Sequence, residues 1–128
     1  MAYNAKEIWI PTDKQSATLN ATQTSGATAV KSGGAAISRG ICTGYHFKVS
    51  AVDANNTAIP VKLFDASSGD LIYSTTVAAT ATQGTETVDT LDTPLPFFET
   101  PYFTIGAIQS GAAAGITYTV RFFFKAMA

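Results

Sequence analysis

The chain has few charged side chains. Only 13% of its 128 residues are Asp, Glu, Lys or Arg, which is about half the share in an average soluble domain. The eight basic residues are scattered along the chain and the formal net charge is −1. Because no group of Lys or Arg could neutralise a row of phosphates, we expect no nucleic-acid partner.

Cysteine and histidine are also scarce, since Cys42 and His46 are the only residues of their types. One cysteine excludes an internal disulfide and any zinc site built from several cysteines. If both residues lie on one strand, a separation of four residues places them about 13 Å apart, too far for an ion pair or a shared metal. We expect no catalytic or metal-binding role for either residue.

Long apolar runs are absent. No segment approaches the roughly 20 residues of a membrane-spanning helix, and the start, MAYNAKEIWIPTDK, lacks the basic and apolar regions of a secretion signal. We therefore expect a soluble chain that is made in the cytoplasm and has no membrane partner.

Helical periodicity is missing, and alternation of apolar and polar residues takes its place. No window of eleven or more residues keeps helical spacing. Period-two alternation is clear in 45–51, in 116–125 and in the stretch PVKLFDASSGDLIYSTTV, residues 60–77. The last of these predicts a β-hairpin whose turn runs from Asp65 to Asp70, with Gly69 supplying a positive φ.

Weaker strand candidates and turn signals fill most of the remaining chain. The candidates are residues 7–10, 17–24, 35–41, 86–91 and 102–108, and residues 93–96 are predicted as a turn. About seven to nine short strands predict an all-β protein, a two-sheet antiparallel β-sandwich of jelly-roll or immunoglobulin-like type with little helix. We expect residues 1–14 to form an N-terminal extended arm or the first strand, and residues 15–128 to form a single sandwich domain.

The nine carboxylates do not form a recognisable site. Asp65 with Asp70, or Asp89 with Asp92, could hold calcium together with backbone carbonyls, but the calcium-loop pattern is missing and turn formation is the favoured interpretation. Nucleophile, phosphate-loop and zinc motifs are absent. We expect no enzymatic activity, no metal and no cofactor. A hydrolase with a dispersed carboxylate site is the third alternative after the two binding functions given below.

Several large apolar residues fall where they would face away from a sandwich core. Phe123 alternates with the predicted core residues of the last strand, so it points to the outer face. Apolar residues occupy both faces of the segment Ile8, Trp9 and Ile10, and Phe98 follows a rigid Pro-Leu-Pro stretch. These five residues are the candidates for protein contacts. The other interpretation is packing within the domain itself.

The order of the segments resembles a known group of proteins. The pieces are GYHFKVSAV, then IPVKLFDASSGDLIYSTT, then TPLPFFETPYFTIGAIQSGAAAGITYTVRFFFK. Together they span residues 40–125 and resemble small β-sandwich virion proteins of tailed bacteriophages, particularly proteins that decorate or cement the capsid. The first forty residues carry no part of this resemblance.

The resemblance implies a non-enzymatic capsid decoration or cement protein, commonly trimeric, that binds the lattice of the major capsid protein on the virion surface. The alternative function is a receptor- or carbohydrate-binding module of a phage tail or fibre, with an exposed aromatic such as Trp9 beside polar donors.

Overall fold

A computed structural model describes residues 8–20, 22–50, 58–78, 86–109 and 114–127. Within these ranges the chain forms strands and turns, and it has no helix that could cross a membrane. The strands are β1 (Trp9–Ile10), β2 (Gln15–Leu19), β3 (Thr28–Ala29), β4 (Lys31–Ser32), β5 (Ala35–Ala36), β6 (Gly40–Val49), β7 (Ala58–Asp65), β8 (Leu71–Ala78), β9 (Glu86–Phe97), β10 (Pro101–Ile105) and β11 (Ile116–Lys125).

The strands assemble into two main antiparallel sheets. In sheet A, β1 and β2 both pair with one side of β11, and β6 and then β9 follow on its other side. Sheet B has the order β3, β10, β7, β8. The strands β4 and β5 form a small separate hairpin. The prediction of an all-β, antiparallel β-sandwich is confirmed.

One apolar core fills the space between the sheets. Alternate residues of β11 are buried in it, as the sequence pattern predicts: Ile116, Tyr118, Val120, Phe122 and Phe124. The ring of Phe122 on sheet A lies 5.5 Å from the ring of Phe103 on sheet B, measured between centroids. Full burial of an apolar side chain of this size stabilises the fold by about 1.5–3 kcal/mol. The aromatic residues of β11 therefore hold the two sheets together.

The N-terminal strands extend along almost the whole length of β11. Trp9 and Ile10 pair with Lys125 and Phe124, and residues 15–19 pair with residues 120–116. Between the two strands Thr12 is buried, and its hydroxyl donates a hydrogen bond to the carbonyl of Phe122. Residues 9 and 10 thus form a strand of sheet A, whereas residues 1–7 of the segment predicted as an arm or first strand lie outside the described residues.

The β7–β8 hairpin forms as predicted, but its turn uses a different residue for the left-handed conformation. Ala66 has the positive φ, 72°, whereas we predicted it for Gly69. Gly69 is required for another reason: a Cβ atom at this position would overlap the carbonyl oxygen of Asp65. The turn therefore requires glycine at position 69, where a Cβ atom has no space, and it tolerates the positive φ at Ala66.

Several strand boundaries differ from the predictions; residues 17–24, for example, were predicted as a strand, but β2 is Gln15–Leu19. Residues 35–41 were predicted as one strand, but Ala35–Ala36 belongs to the small hairpin and Gly40 begins β6. Residues 93–96 were predicted as a turn, but Leu95 and Pro96 pair with β6. Proline is tolerated there because β9 is the last strand of sheet A, where a missing N–H on the outer side breaks no ladder.

Candidate protein-binding surface

A groove of about 470 Å³ crosses the outer face of sheet A. Side chains from four strands surround it: Trp9, Thr43, Thr90, Leu91, Pro94, Phe123 and Lys125. Trp9 and Phe123 come from opposite ends of the chain and meet here because β1 pairs with the end of β11. We call this feature the outer groove.

Strand β6 has no side chain at Gly44, which lies between two residues that line the outer groove. Gly44 lies between Phe123 on β11 and Thr90 on β9 in the ladder. A Cβ atom on Gly44 would overlap the carbonyl oxygen of Asp89, so the two strands approach each other more closely than a larger residue allows. The ladder register shifts at the same place and leaves Thr43 between the paired residues Cys42 and Gly44. A β-bulge of this kind redirects side chains on the outer face.

The outer groove is apolar with hydroxyl groups at its sides. Lys125 is its charged lining residue, and the Nζ atom of Lys125 lies 4.7 Å from the centroid of the Trp9 ring. Thr43 and Thr90 supply hydroxyls. Trp9 is 57% exposed, and Phe123 is half-buried. An exposed indole next to a recessed phenyl ring is a surface that protein or sugar partners bind well.

The five candidate contact residues occupy four different environments. Trp9 and Phe123 share the outer groove. Ile8 is exposed beside Trp9, and its carbonyl accepts a hydrogen bond from the N–H of Ala126. Ile10 is partly buried and packs against the core, since alternate residues of β1 point to opposite faces. Phe98 is exposed in the turn between β9 and β10.

Sequence reasoning missed the other residues of this face. Thr43, Leu91 and Pro94 line the outer groove, and Val88 on β9 is 67% exposed. None of these residues stands out in the alternation of apolar and polar residues within its own segment. They come together through the bulge of β6 and the pairing of β6 with β9, which no short segment reveals.

The residues that we considered for catalysis do not come together. Cys42 is buried in the core, and burial raises the pKa of its thiol to about 12. His46 is half-buried on the same strand. The bulge at Thr43 shifts the alternation of side chains along β6, so Cys42 and His46 point to opposite faces of the sheet. His46 pairs with Arg121 and Val88, outside the core. This geometry offers no thiolate–imidazole pair.

The carboxylate pairs serve turns and side-chain contacts. Asp65 accepts hydrogen bonds from the N–H groups of Phe98 and Glu99, at 3.3 and 3.0 Å, and so ties the β7–β8 turn to the β9–β10 turn. Asp89 lies 3.4 Å from the hydroxyl of Tyr45. Within the described ranges no three His, Cys, Asp or Glu side chains are grouped to hold a metal ion.

A second pocket of about 420 Å³ opens where β8 and β9 lie side by side at the border of the two sheets. Tyr73, Asp89, Leu91, Asp92 and Leu95 are among its lining residues. The pKa of the nearby Tyr45 hydroxyl is raised, and burial is the largest cause. The neutral phenol donates a hydrogen bond to the carboxylate of Asp89.

Comparison with known proteins gives little information about this chain. No protein-family model and no curated protein matches the chain. One solved structure with a detectable likeness comes from work reporting that Bacillus endospore appendages form a novel family of disulfide-linked pili. It is 16% identical, with 99% of this chain and 95% of that chain covered and a TM-score of 0.44. A likeness of this size carries no argument about this chain.

Proposed function

We propose that the protein is a non-enzymatic virion structural protein that binds the outside of an assembled phage head as a capsid decoration or cement protein. The observation that supports a binding function is the outer groove, in which Trp9 and Phe123 meet beside one charged lining residue, Lys125. The resemblance of residues 40–125 to phage decoration proteins supports the choice of partner, the lattice of the major capsid protein.

The outer groove has the properties of a protein-contact surface. Aromatic side chains at the centre of an interface contribute most of the binding energy, and Trp9 with Phe123 would form such a centre. The surrounding threonine hydroxyls cost less to remove from water than charged groups would. The charge-poor composition of the whole chain extends this property beyond the groove.

Binding would stabilise the head by mass action. A protein that binds the assembled lattice and not the free shell subunits shifts the equilibrium toward the lattice. Self-association would add effective concentration because several copies bind neighbouring lattice sites together.

The abundance of the chain in particles tests the capsid assignment. Quantitative mass spectrometry of purified particles from the source lysate gives the ratio of this chain to the most abundant shell protein. We expect a ratio within the same order of magnitude as the shell subunit. A few copies per particle would favour the tail, and absence from particles would reject a virion function.

Point substitutions test the surface. A deletion of residues 1–14 is unsuitable because Ile10 and Thr12 pack into the fold. Trp9→Ala and Phe123→Ala should each weaken binding to heads prepared without the protein by tenfold or more, which corresponds to about 1.4 kcal/mol. Val88→Ala is the matched control, since it removes an exposed apolar side chain from sheet A outside the groove. Equal binding by all three variants would exclude the outer groove as the contact.

A receptor- or carbohydrate-binding module remains the second candidate. The observation that favours it is the position of the exposed Trp9 ring beside the hydroxyls of Thr43 and Thr90. Trp9 is the one tryptophan of the chain, so its fluorescence reports on this groove. A saturable change in emission on titration with a glycan, abolished in Thr90→Val, would support sugar binding. Unchanged emission across a glycan panel would reject it.

A further inference from the structure

One edge of sheet B is the strand β8, which lies beside β9 of sheet A at the border of the two sheets. Within the described residues β8 pairs with β7 on one side and with no strand on the other. Leu71 and Ile72 at its start are 50% and 37% exposed, and Ser74 and Thr76 are exposed further along. An edge of this kind presents backbone hydrogen-bonding groups to any strand that can approach it.

The register identifies which backbone groups point outward. The N–H of Gly106 donates to the carbonyl of Pro60, so Pro60 directs its carbonyl toward β10 and away from β8. Thr76 lies opposite Pro60 in the β7–β8 ladder. Because facing residues in an antiparallel ladder either bond each other or both point away, Thr76 directs its N–H and C=O to the free edge. Ser74, two residues earlier, does the same.

The two edges on this side of the sandwich differ in how they are protected. On β9, Pro94 and Pro96 lack an N–H, Asp89 and Asp92 carry charge, and the register shifts between paired residues. These are the features by which natural sheets block pairing with other chains. Residues 71–78, LIYSTTVA, contain no proline, no glycine and no charged residue. The sequence of β9 therefore disfavours pairing with a strand of another chain, whereas the sequence of β8 does not.

We propose that β8 is the pairing edge for a second copy of this chain, which joins two B sheets into one continuous antiparallel sheet. The twofold axis would pass through Thr75, so that Ser74 of each copy faces Thr76 of the other. Each of these two pairs would exchange two backbone hydrogen bonds. This inference concerns self-association and does not depend on the phage assignment or on the outer groove.

The side chains of β8 suit a pairing with itself. On the outer face the register places the hydroxyl of Ser74 opposite the hydroxyl of Thr76. The chain already uses such pairs within sheet A, where Ser16 and Thr119 are 2.8 Å apart and Thr18 and Thr117 are 2.9 Å apart. An uncharged strand also brings no like charges together when it meets its own copy.

Charge substitutions at the two facing positions test the proposal. Ser74→Lys with Thr76→Lys places lysine opposite lysine twice in the joined sheet. Ser74→Lys with Thr76→Glu places unlike charges opposite each other at the same positions. Both side chains are exposed in the single copy, so neither pair of substitutions disturbs the core. Sedimentation velocity of the full chain gives the oligomeric state, and circular dichroism confirms that each variant is folded.

We expect the unsubstituted chain to dimerise at micromolar concentration. The double-lysine variant should raise the dissociation constant by about tenfold, and the lysine–glutamate variant should restore it, with both effects shrinking at high salt. Thr76→Pro removes the outward N–H and should give a monomer, whereas Thr76→Val keeps that N–H and should remain a dimer.

Three results would overturn the proposal. They are a monomeric unsubstituted chain, a dimer that is indifferent to both charge variants, and an oligomer that keeps growing with concentration. The last would mean that β8 pairs with a different edge of its neighbour, since a twofold contact closes at two copies. If Thr76→Pro does not fold, the two charge variants still test whether β8 is the pairing edge.

Discussion

Lys125 and Trp9 face each other across the β1–β11 ladder, and the ammonium nitrogen of Lys125 lies 4.7 Å from the centroid of the indole ring. The contact joins the first described strand to the last strand of the chain. It also fixes the orientation of the most exposed aromatic ring in the outer groove. Such cation–π contacts at exposed sites contribute about 0.5–1 kcal/mol.

Replacement of Lys125 by methionine should therefore reduce the free energy of unfolding by about 0.5–1 kcal/mol, because the charge is lost while the apolar stem is kept. The emission of Trp9 should shift at the same time. Chemical denaturation followed by fluorescence measures both effects. Lys14→Met, at an exposed position between β1 and β2, is the control. Identical results for the two variants would show that the Lys125–Trp9 contact does not stabilise the fold.

Replacement of Gly44 by alanine should reduce the free energy of unfolding by about 1–3 kcal/mol, because the new Cβ atom must displace the carbonyl of Asp89 and the ladder between β6 and β9. It should also narrow the outer groove. Gly26→Ala is the control, since a Cβ atom there has no neighbour within 4 Å. Thermal unfolding compares the two. A stable Gly44→Ala variant would contradict the close approach of these strands.

Acid should weaken the attachment of the β4–β5 hairpin. The carboxylate of Asp13 accepts hydrogen bonds from the N–H groups of Gly34 and Gly33, at 2.7 and 2.9 Å. These two bonds are the largest causes that lower the pKa of Asp13 below its ordinary value of 3.8. A lowered pKa in the folded state adds stability above the unfolded pKa, and that stability disappears as the pH falls through the folded value.

We therefore expect the unfolding free energy of Asp13→Asn to depend less on pH below 3.8 than that of the unsubstituted chain. Denaturation curves at a series of acidic pH values measure the difference. Asp92→Asn is the matched control, because it removes one carboxylate from β9 at the opposite side of sheet A. A parallel pH dependence for all three proteins would show that the carboxylate of Asp13 does not stabilise the hairpin.

The thiol of Cys42 should resist alkylation in the folded protein. It is fully buried and its pKa is raised to about 12, so that almost no thiolate exists near pH 8. We expect iodoacetamide to modify it at the rate of global unfolding, which mass spectrometry follows over time. Denaturant should make the reaction fast and complete. Rapid modification without denaturant would show that the β6–β11 region opens locally.

Local alternation predicted much of the sandwich. β6, β7, β8 and β11 follow the period-two pattern because each has one face in the core, and the buried residues of β11 are those that the pattern indicates. The failures have physical causes. Pro94 and Pro96 indicate a turn from sequence, but an edge strand accepts them. Gly69 was predicted to supply a positive φ, but the position requires glycine because of a carbonyl that lies close in space.

The outer groove could be predicted only in part. Trp9 and Phe123 stand out because large apolar residues occur at positions that alternate with the core. Their meeting depends on the register of β1 against β11, and the other walls depend on the bulge at Thr43. Those are relations between strands far apart in sequence. No pattern within a single segment contains them.

The position of β11 at the centre of sheet A has a consequence for synthesis. β1, β2 and β6 all pair with this last strand, so the sheet lacks its central member until translation has passed Lys125. After β1 and β2 are made, the ribosome adds more than a hundred further residues before β11 is complete, and until then their apolar faces lack that partner. Pairing between ends so distant in sequence is slow and exposes strands to aggregation. Newly made chains should therefore depend on chaperones that prevent the early strands from aggregating until β11 has been synthesised.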